Sequence, residues 1–166
     1  MSTPTQSEIL RVIGVDPGFD RMGIAVIERT KEKKENLLWS ACVESSRTLL
    51  FEERLMVLAN EFERVINEYL PTILSIEKIF FTKNQRTGIA VAEARGMLRY
   101  LACKHGLTVM EYTPQEIKQS VTGYGNADKK QVAHMVSLLL TLSKSPHHDD
   151  EYDAIAAGLT ALGHLR

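Results

Sequence analysis

Cysteine, tryptophan and long apolar runs are what this chain has least of. Only Cys42 and Cys103 occur among its 166 residues. They lie on separate apolar segments, which excludes a disulfide framework and predicts two reduced, buried thiols. No cysteine lies near His147 and His148, so a structural zinc, which needs about four nitrogen or sulfur ligands, has no ligand set there. Those histidines read as surface or site-edge residues, and the single tryptophan, Trp39, as strand packing. No stretch approaches the ~20 apolar residues that span a bilayer. Met1–Glu8 is polar and has no signal-peptide core, which predicts a cytoplasmic protein without a membrane partner. Internal repeats and low-complexity tracts are also missing.

What is present fits one globular unit. Hydrophobic residues make up 44% and charged residues 25% of the chain, enough for a core without staples. The expected organisation is a polar extension over residues 1–10 and a single domain over 11–166. The net charge of −1 hides an asymmetry: from Lys78 to Lys130 nine Lys/Arg stand against four Asp/Glu, and the remainder is acidic. A basic middle permits a local nucleic-acid surface in spite of a pI of about 6.5.

Periodicity and turn chemistry give the element order. Arg11–Asp16 is a continuous apolar strand, and Met22–Glu28 a second strand after the turn Pro17-Gly-Phe-Asp20. The charged stretch Arg29–Asn36 reads as a hairpin loop and Leu37–Glu44 as the third strand. Phe51, Leu55, Leu58, Phe62, Val65, Ile66 and Tyr69 recur at spacings of three and four, which makes an amphipathic helix ended by Pro71. Thr72–Glu77 follows as a strand parallel to the first. Asn84–His105 is a long helix rich in small residues, able to pack on the sheet and on a partner helix. Leu107–Tyr112 is the fifth strand. Thr113, Pro114 and Glu116 start a short helix in cap, first and third positions. The loop Thr122–Asn126 leads to a helix over Ala127–Leu140, and the last helix runs from about Asp149 to Leu165. Three antiparallel strands, then two parallel ones with helical crossovers, is the layout of a ribonuclease H-like α/β fold: a five-stranded mixed sheet flanked by helices.

On that layout four acids fall at telling positions. Asp16 and Glu77 end two adjacent apolar strands, at the carboxyl edge where open α/β sheets bind ligands. Asp150 and Asp153, three apart, share one face of the last helix. Separately these are weak signals, since Asp-Pro-Gly is a common turn and Asp149–Glu151 a common helix start. Together, four converging carboxylates repel one another, and divalent cations are the simplest remedy. Without metal at least one should titrate high, and Asp150→Asn should leave the fold as stable or stabilise it. Such a set suits metal-dependent phosphodiester cleavage. Asp149 and Glu151 compete with Asp150 for the ligand role, and the spacing to Asp153 favours Asp150. Lys129 and Lys130 occupy a first helical turn, where the dipole disfavours cations and a bound phosphate would remove the conflict. Phe80 and Phe81, directly after a strand, read either as core or as wedges into opened base steps. Lys83, Arg86 and Tyr124 are further candidates for DNA contact.

These residues also carry a resemblance. From about Val12 to Leu162 the chain resembles the RuvC family of Holliday-junction resolvases. The matching segments are Ile13-Gly-Val-Asp-Pro-Gly18, Ile76-Glu-Lys-Ile-Phe-Phe-Thr-Lys-Asn84, Glu93-Ala-Arg-Gly96, Glu111-Tyr-Thr-Pro114, Lys118-Gln-Ser-Val-Thr-Gly123, Ala127-Asp-Lys-Lys-Gln131 and Asp150-Glu-Tyr-Asp-Ala-Ile-Ala156. The resemblance implies a homodimeric endonuclease that nicks opposed strands of four-way junction DNA, with two Mg²⁺ per subunit and Mn²⁺ as a substitute. It implies that Asp16, Glu77, Asp150 and Asp153 are the catalytic metal ligands, that Lys118 and Lys129 assist, and that Phe80 stacks on bases. It also implies cooperation with the branch-migration proteins RuvA and RuvB. The 84–105 helix is the expected dimer interface. Two rival readings are a silent junction-binding module with structural acids, and a nucleotide-handling protein of the actin and sugar-kinase type. The latter needs a second domain and phosphate loop for which this chain has no room.

Overall fold

The computed structural model describes residues 9–78, 85–140, 146 and 148–165, without the side chains of residues 85–87. β1 (Leu10–Asp16), β2 (Arg21–Arg29) and β3 (Glu35–Glu44) form a meander. α1 (Phe51–Tyr69) crosses to β4 (Ile73–Glu77), and α2 (Gln85–Lys104) to β5 (Thr108–Tyr112). α3 (Pro114–Thr122), α4 (Lys129–Leu139) and α5 (Asp149–His164) complete the order. The sheet runs β3-β2-β1-β4-β5. β1 pairs antiparallel with β2 and parallel with β4, which fixes Val15 beside Ile76 and puts Asp16 and Glu77 one step further on. This is the ribonuclease H-like arrangement.

The hairpin between β2 and β3 is tighter than its charge suggests. Arg29 pairs with Glu35 in register, and only 30–34 turn, with Lys33 at φ 61°. The Arg29–Glu35 ion pair (2.6 Å) keeps charged residues inside the ladder. A register shift between Val26 and Ile27 pairs Val26 with Trp39 and Ile27 with Leu37, so Leu38 is left over and half-exposed. Trp39 packs against Tyr69, ring centroids 6.1 Å apart.

Both faces of the sheet are covered, which is why β1 and β4 read as unbroken apolar runs. Ile13, Val15, Ile24, Val26, Leu74 and Ile76 pack under α1 and α2. Val12, Ala25, Ile27 and Ile73 face α3, α4 and α5. By the two-residue period of a strand, Asp16 and Glu77 therefore point to the α5 side. α1 ends at Leu70, in the left-handed region (φ 51°), with Pro71 behind it. α2 buries Ala94, Leu98, Leu101 and Ala102 and presents Ile89, Gly96, Tyr100 and Cys103 outward. Cys103 is thus free but exposed, not buried as expected, because it falls on the helix face turned from the sheet.

α5 lies closer to the sheet than a side-chain layer would allow. A Cβ on Gly14 would stand 2.1 Å from the Ala154 carbonyl oxygen, and one on Gly23 1.9 Å from that of Asp150. Glycine at these two positions lets the helix backbone rest on β1 and β2. Ser75 Oγ donates to the Ala157 carbonyl (2.6 Å), tying the same helix to β4. Its ends are held as well. Glu151, only 5% exposed, accepts a hydrogen bond from Ser40 Oγ on β3 (2.9 Å), and Arg29 donates to the Leu162 carbonyl.

Candidate active site

The clamp on α5 places its first turn over the carboxyl ends of β1 and β4. Asp16, Glu77 and Asp153 line one cavity of about 310 Å³ together with Pro114, Ile117, Lys118, Lys129 and Val132. Each lysine arrives on a helix whose start is fixed locally. In α3 the Thr113 side chain accepts from the Glu116 amide, and the Glu116 carboxylate in turn accepts from the Thr113 N–H. In α4, Asp128 and Gln131 do the same, leaving Lys129 as the first helical residue. Lys129 Nζ sits 3.1 Å from Asp153 Oδ2. The unfavourable position of this ammonium at a helix start is therefore offset by a carboxylate, and Lys130 beside it is exposed.

Electrostatic stress concentrates on Asp16. Burial first, then the charges of Asp153, Glu77 and Asp150, push its carboxyl up to about 7, against a smaller pull from Lys129. Glu77 is raised too, by burial and by Asp153, with Lys118 and Lys129 opposing. Partial burial acts to lower Lys129, but the hydrogen bond and charge of Asp153, with Asp149 and Asp16 behind it, outweigh that and raise it.

Asp150 stands apart from the other three acids. It lines a neighbouring cavity with Arg21, Glu44 and Arg47, on the β1–β2 side of α5. There Arg21 Nε lies 3.3 Å from its Oδ2, and Cys42 Sγ donates to the same oxygen (3.5 Å). Burial, then the charge and hydrogen bond of Asp150, push the Cys42 thiol up to about 12, which keeps it a neutral donor. The rivals for the Asp150 role separate cleanly: Glu151 is committed to Ser40, and Asp149 is exposed at the helix start. Arg21 had no sequence signal, since its link to Asp150 exists only once β2 and α5 are stacked.

Three carboxylates around one cavity, one of them pushed to about 7 by burial and by its neighbours, form a hard-oxygen set suited to a divalent cation. Among the described residues no three His, Cys, Asp or Glu side chains are already closed into a metal cluster. The ion pairs Lys129–Asp153 and Arg21–Asp150 occupy two of the acids instead.

Other candidates fall elsewhere. Tyr124 is exposed in the α3–α4 loop and lines a larger cavity, about 1120 Å³, that contains none of the four acids. His148 precedes α5 without a side-chain capping bond. Phe80, Phe81, Lys83 and His147 lie outside the described residues, as does the side chain of Arg86.

Residues 12–161 match the family model described as crossover junction endodeoxyribonuclease RuvC. The chain belongs to this family. Its RuvC relatives include the crossover junction endodeoxyribonuclease of Thermosipho melanesiensis, 40% identical over 147 residues that cover 89% of this chain and 93% of the relative. That of Thermotoga maritima is also 40% identical, covering 89% and 87%. Among solved structures, T. thermophilus RuvC in complex with a Holliday junction substrate superposes with a TM-score of 0.88 at 29% identity, covering 95% of both chains. The yeast mitochondrial resolvase Ydc2 shares the fold at a TM-score of 0.62 and 11% identity, covering 93% of this chain and 78% of that one. As a RuvC-family member the chain is an endonuclease that acts on crossover DNA junctions in recombination and repair. Among the described residues no helix is long and apolar enough to cross a membrane.

Proposed function

We propose that this RuvC-family endonuclease resolves four-way (Holliday) junctions by paired nicks in opposed strands, each leaving a 5′-phosphate and a 3′-hydroxyl. The observation that carries the reading is the meeting of Asp16, Glu77 and Asp153 with Lys118 and Lys129 around one cavity, at the carboxyl edge of the sheet. Asp16, Glu77 and Asp153, joined by Asp150 once it exchanges Arg21 for a cation, would hold two Mg²⁺, or Mn²⁺ in their place. When bound, these cations stabilise negative charge on the attacking and leaving oxygens of the scissile phosphate. Water attacks the phosphorus in line with the 3′-oxygen, the P–O3′ bond breaks, and the 3′-oxygen takes up a proton. Lys118, opposite Glu77, and Lys129, hydrogen-bonded to Asp153, put positive charge where the phosphate gains negative charge. Phe80 and Phe81 would stack on opened bases, and Lys83, Arg86, Tyr124 and Lys130 would contact the backbone.

A four-way junction has approximate two-fold symmetry, so a homodimer presents one site to each opposed strand. The outward face of α2, with Ile89, Gly96 and Tyr100, supports a dimer through this helix. Residues 11–166 then act as one nuclease domain in the cytoplasm, alongside RuvA and RuvB.

The test is a labelled synthetic four-way junction beside matching linear duplex, with Mg²⁺ or EDTA and with Asp16→Asn as control. Symmetric nicks that need metal, occur only at the junction and vanish in the variant are expected. Tight junction binding without cleavage, across several sequences and metals, would overturn the reading in favour of a silent binding module.

A further inference from the structure

The peptide unit that leaves β4 is held from both ends. On one side the Lys78 N–H donates to the Tyr112 carbonyl of β5 (2.7 Å), extending the parallel ladder by one bond. On the other, the Glu77 carbonyl accepts from Arg95 Nε on α2 (3.1 Å). The same guanidinium pairs through its NH2 with the Glu111 carboxylate on β5, and Arg99 adds a longer contact to that carboxylate (3.7 Å). Ile76 and Glu111 are register partners, as are Glu77 and Tyr112, so one planar fork spans the ends of both strands. The Arg95 side chain is 14% exposed, so its bonds meet little competition from water.

From this geometry we infer that Arg95 is a positioning residue for Glu77: it fixes the Glu77–Lys78 peptide plane and so aims the Glu77 carboxylate into the cavity. The inference rests on the reading of that cavity as the nuclease site. A peptide plane sets the torsion about the Cα–C bond of the residue before it. With the carbonyl free, only the Lys78 N–H bond to Tyr112 would hold that plane, and the Glu77 side chain could turn out of the cavity. Arginine suits the task because its Nε–H and NH2 donors are fixed in one plane and reach the Glu77 carbonyl and the Glu111 carboxylate together, whereas the donors of an ammonium rotate freely and set no plane. Arg95 touches no reacting atom. It also sits on the helix proposed as the dimer interface, so one side chain ties that helix to the exit of β4.

A plain structural role predicts something different, and three variants separate the two. Glu111→Gln removes the ion pair but leaves the bond from Arg95 to Glu77. Arg95→Lys keeps a charge for Glu111 but gives up the fork, and Arg95→Gln loses both. Divalent binding is read by titration calorimetry with Mn²⁺ on protein without DNA, beside kcat for junction nicking and thermal stability. Loss of metal affinity and kcat on the order of tenfold or more is expected for both Arg95 variants, with little change in junction affinity in EDTA. Glu111→Gln is expected to lower stability but to keep Mn²⁺ affinity within about twofold of the unsubstituted protein. Equal losses in Glu111→Gln and Arg95→Lys, or wild-type metal binding in Arg95→Lys, would overturn the inference. Because the Mn²⁺ titration needs no cleavage, it judges the placement of Glu77 even if the unsubstituted protein does not nick junctions, an outcome that would count against the proposed function instead.

Discussion

Burial and three neighbouring acids hold the Asp16 carboxyl near 7, well above its ordinary value of 3.8. Between these two pH values the folded protein keeps a proton that the unfolded chain has released. Stability from this group is therefore complete below about 3.8, falls as pH climbs, and is gone above about 7. Asp16→Asn removes the cost of ionising the site. Without divalent cations its melting temperature should exceed that of the unsubstituted protein by ~2–6 °C at pH 8, and the gap should close toward pH 4. Scanning calorimetry across that range checks it, and a gap that widened in acid would refute the assignment. Asp150→Asn should relieve the site less than Asp16→Asn, because it removes one of the charges that press on Asp16 but also gives up the pair with Arg21. Lys129→Met gives the complementary result. Its pair with Asp153 is largely solvent-exposed on the lysine side, so stability should change by less than about 1 kcal/mol. Junction nicking should nevertheless fall steeply, as single-turnover cleavage would show.

At the scale of elements, α5 makes the site. Its backbone rests on Gly14 and Gly23, and neither position has room for a methyl group. Gly14→Ala should cost about 1–3 kcal/mol or more in urea denaturation, because a rigid strand and a pinned helix must separate. Gly23→Ala presses on the Asp150 carbonyl itself and should abolish cleavage. A Gly23→Ala protein that nicked junctions at the normal rate would show that the seat of Asp150 does not matter. The starts of α3 and α4 work in the same way at lower cost. Asp128→Ala removes the acceptor for the Gln131 amide and should cost ~1 kcal/mol while loosening Lys129. The start of α3 at Thr113 was legible in the sequence because capping is local chemistry, complete within four residues, whereas α4, expected from Ala127, begins at Lys129 behind an Asp128 cap. The fit of α5 was not, since it depends on glycines in β1 and β2 meeting a helix from the far end of the chain.

For the molecule as a whole, the outward face of α2 is where two copies would meet. Tyr100 is 67% exposed there, beside the open surface of Gly96. Tyr100→Glu should therefore dissociate the dimer in sedimentation analysis and uncouple the two nicks on a junction, leaving each site competent on its own strand. A monomeric unsubstituted protein that still made paired nicks would refute the α2 interface.

The sequence by itself determined the order of elements, the ends of β1 and β4 at Asp16 and Glu77, the helix start at Thr113, and the family. Each is written in neighbouring residues or in a run of ordered motifs, so no long-range contact is needed to read it. Tertiary structure alone decided that Asp153 joins Asp16 and Glu77 while Asp150 turns to Arg21 and Cys42, that Glu151 is a fastener on β3, and that Arg95 grips the exit of β4. Those outcomes depend on which side chains from distant segments reach the same few ångströms. Strand parity and helix spacing give the direction of a side chain, but only the packed fold supplies its partner.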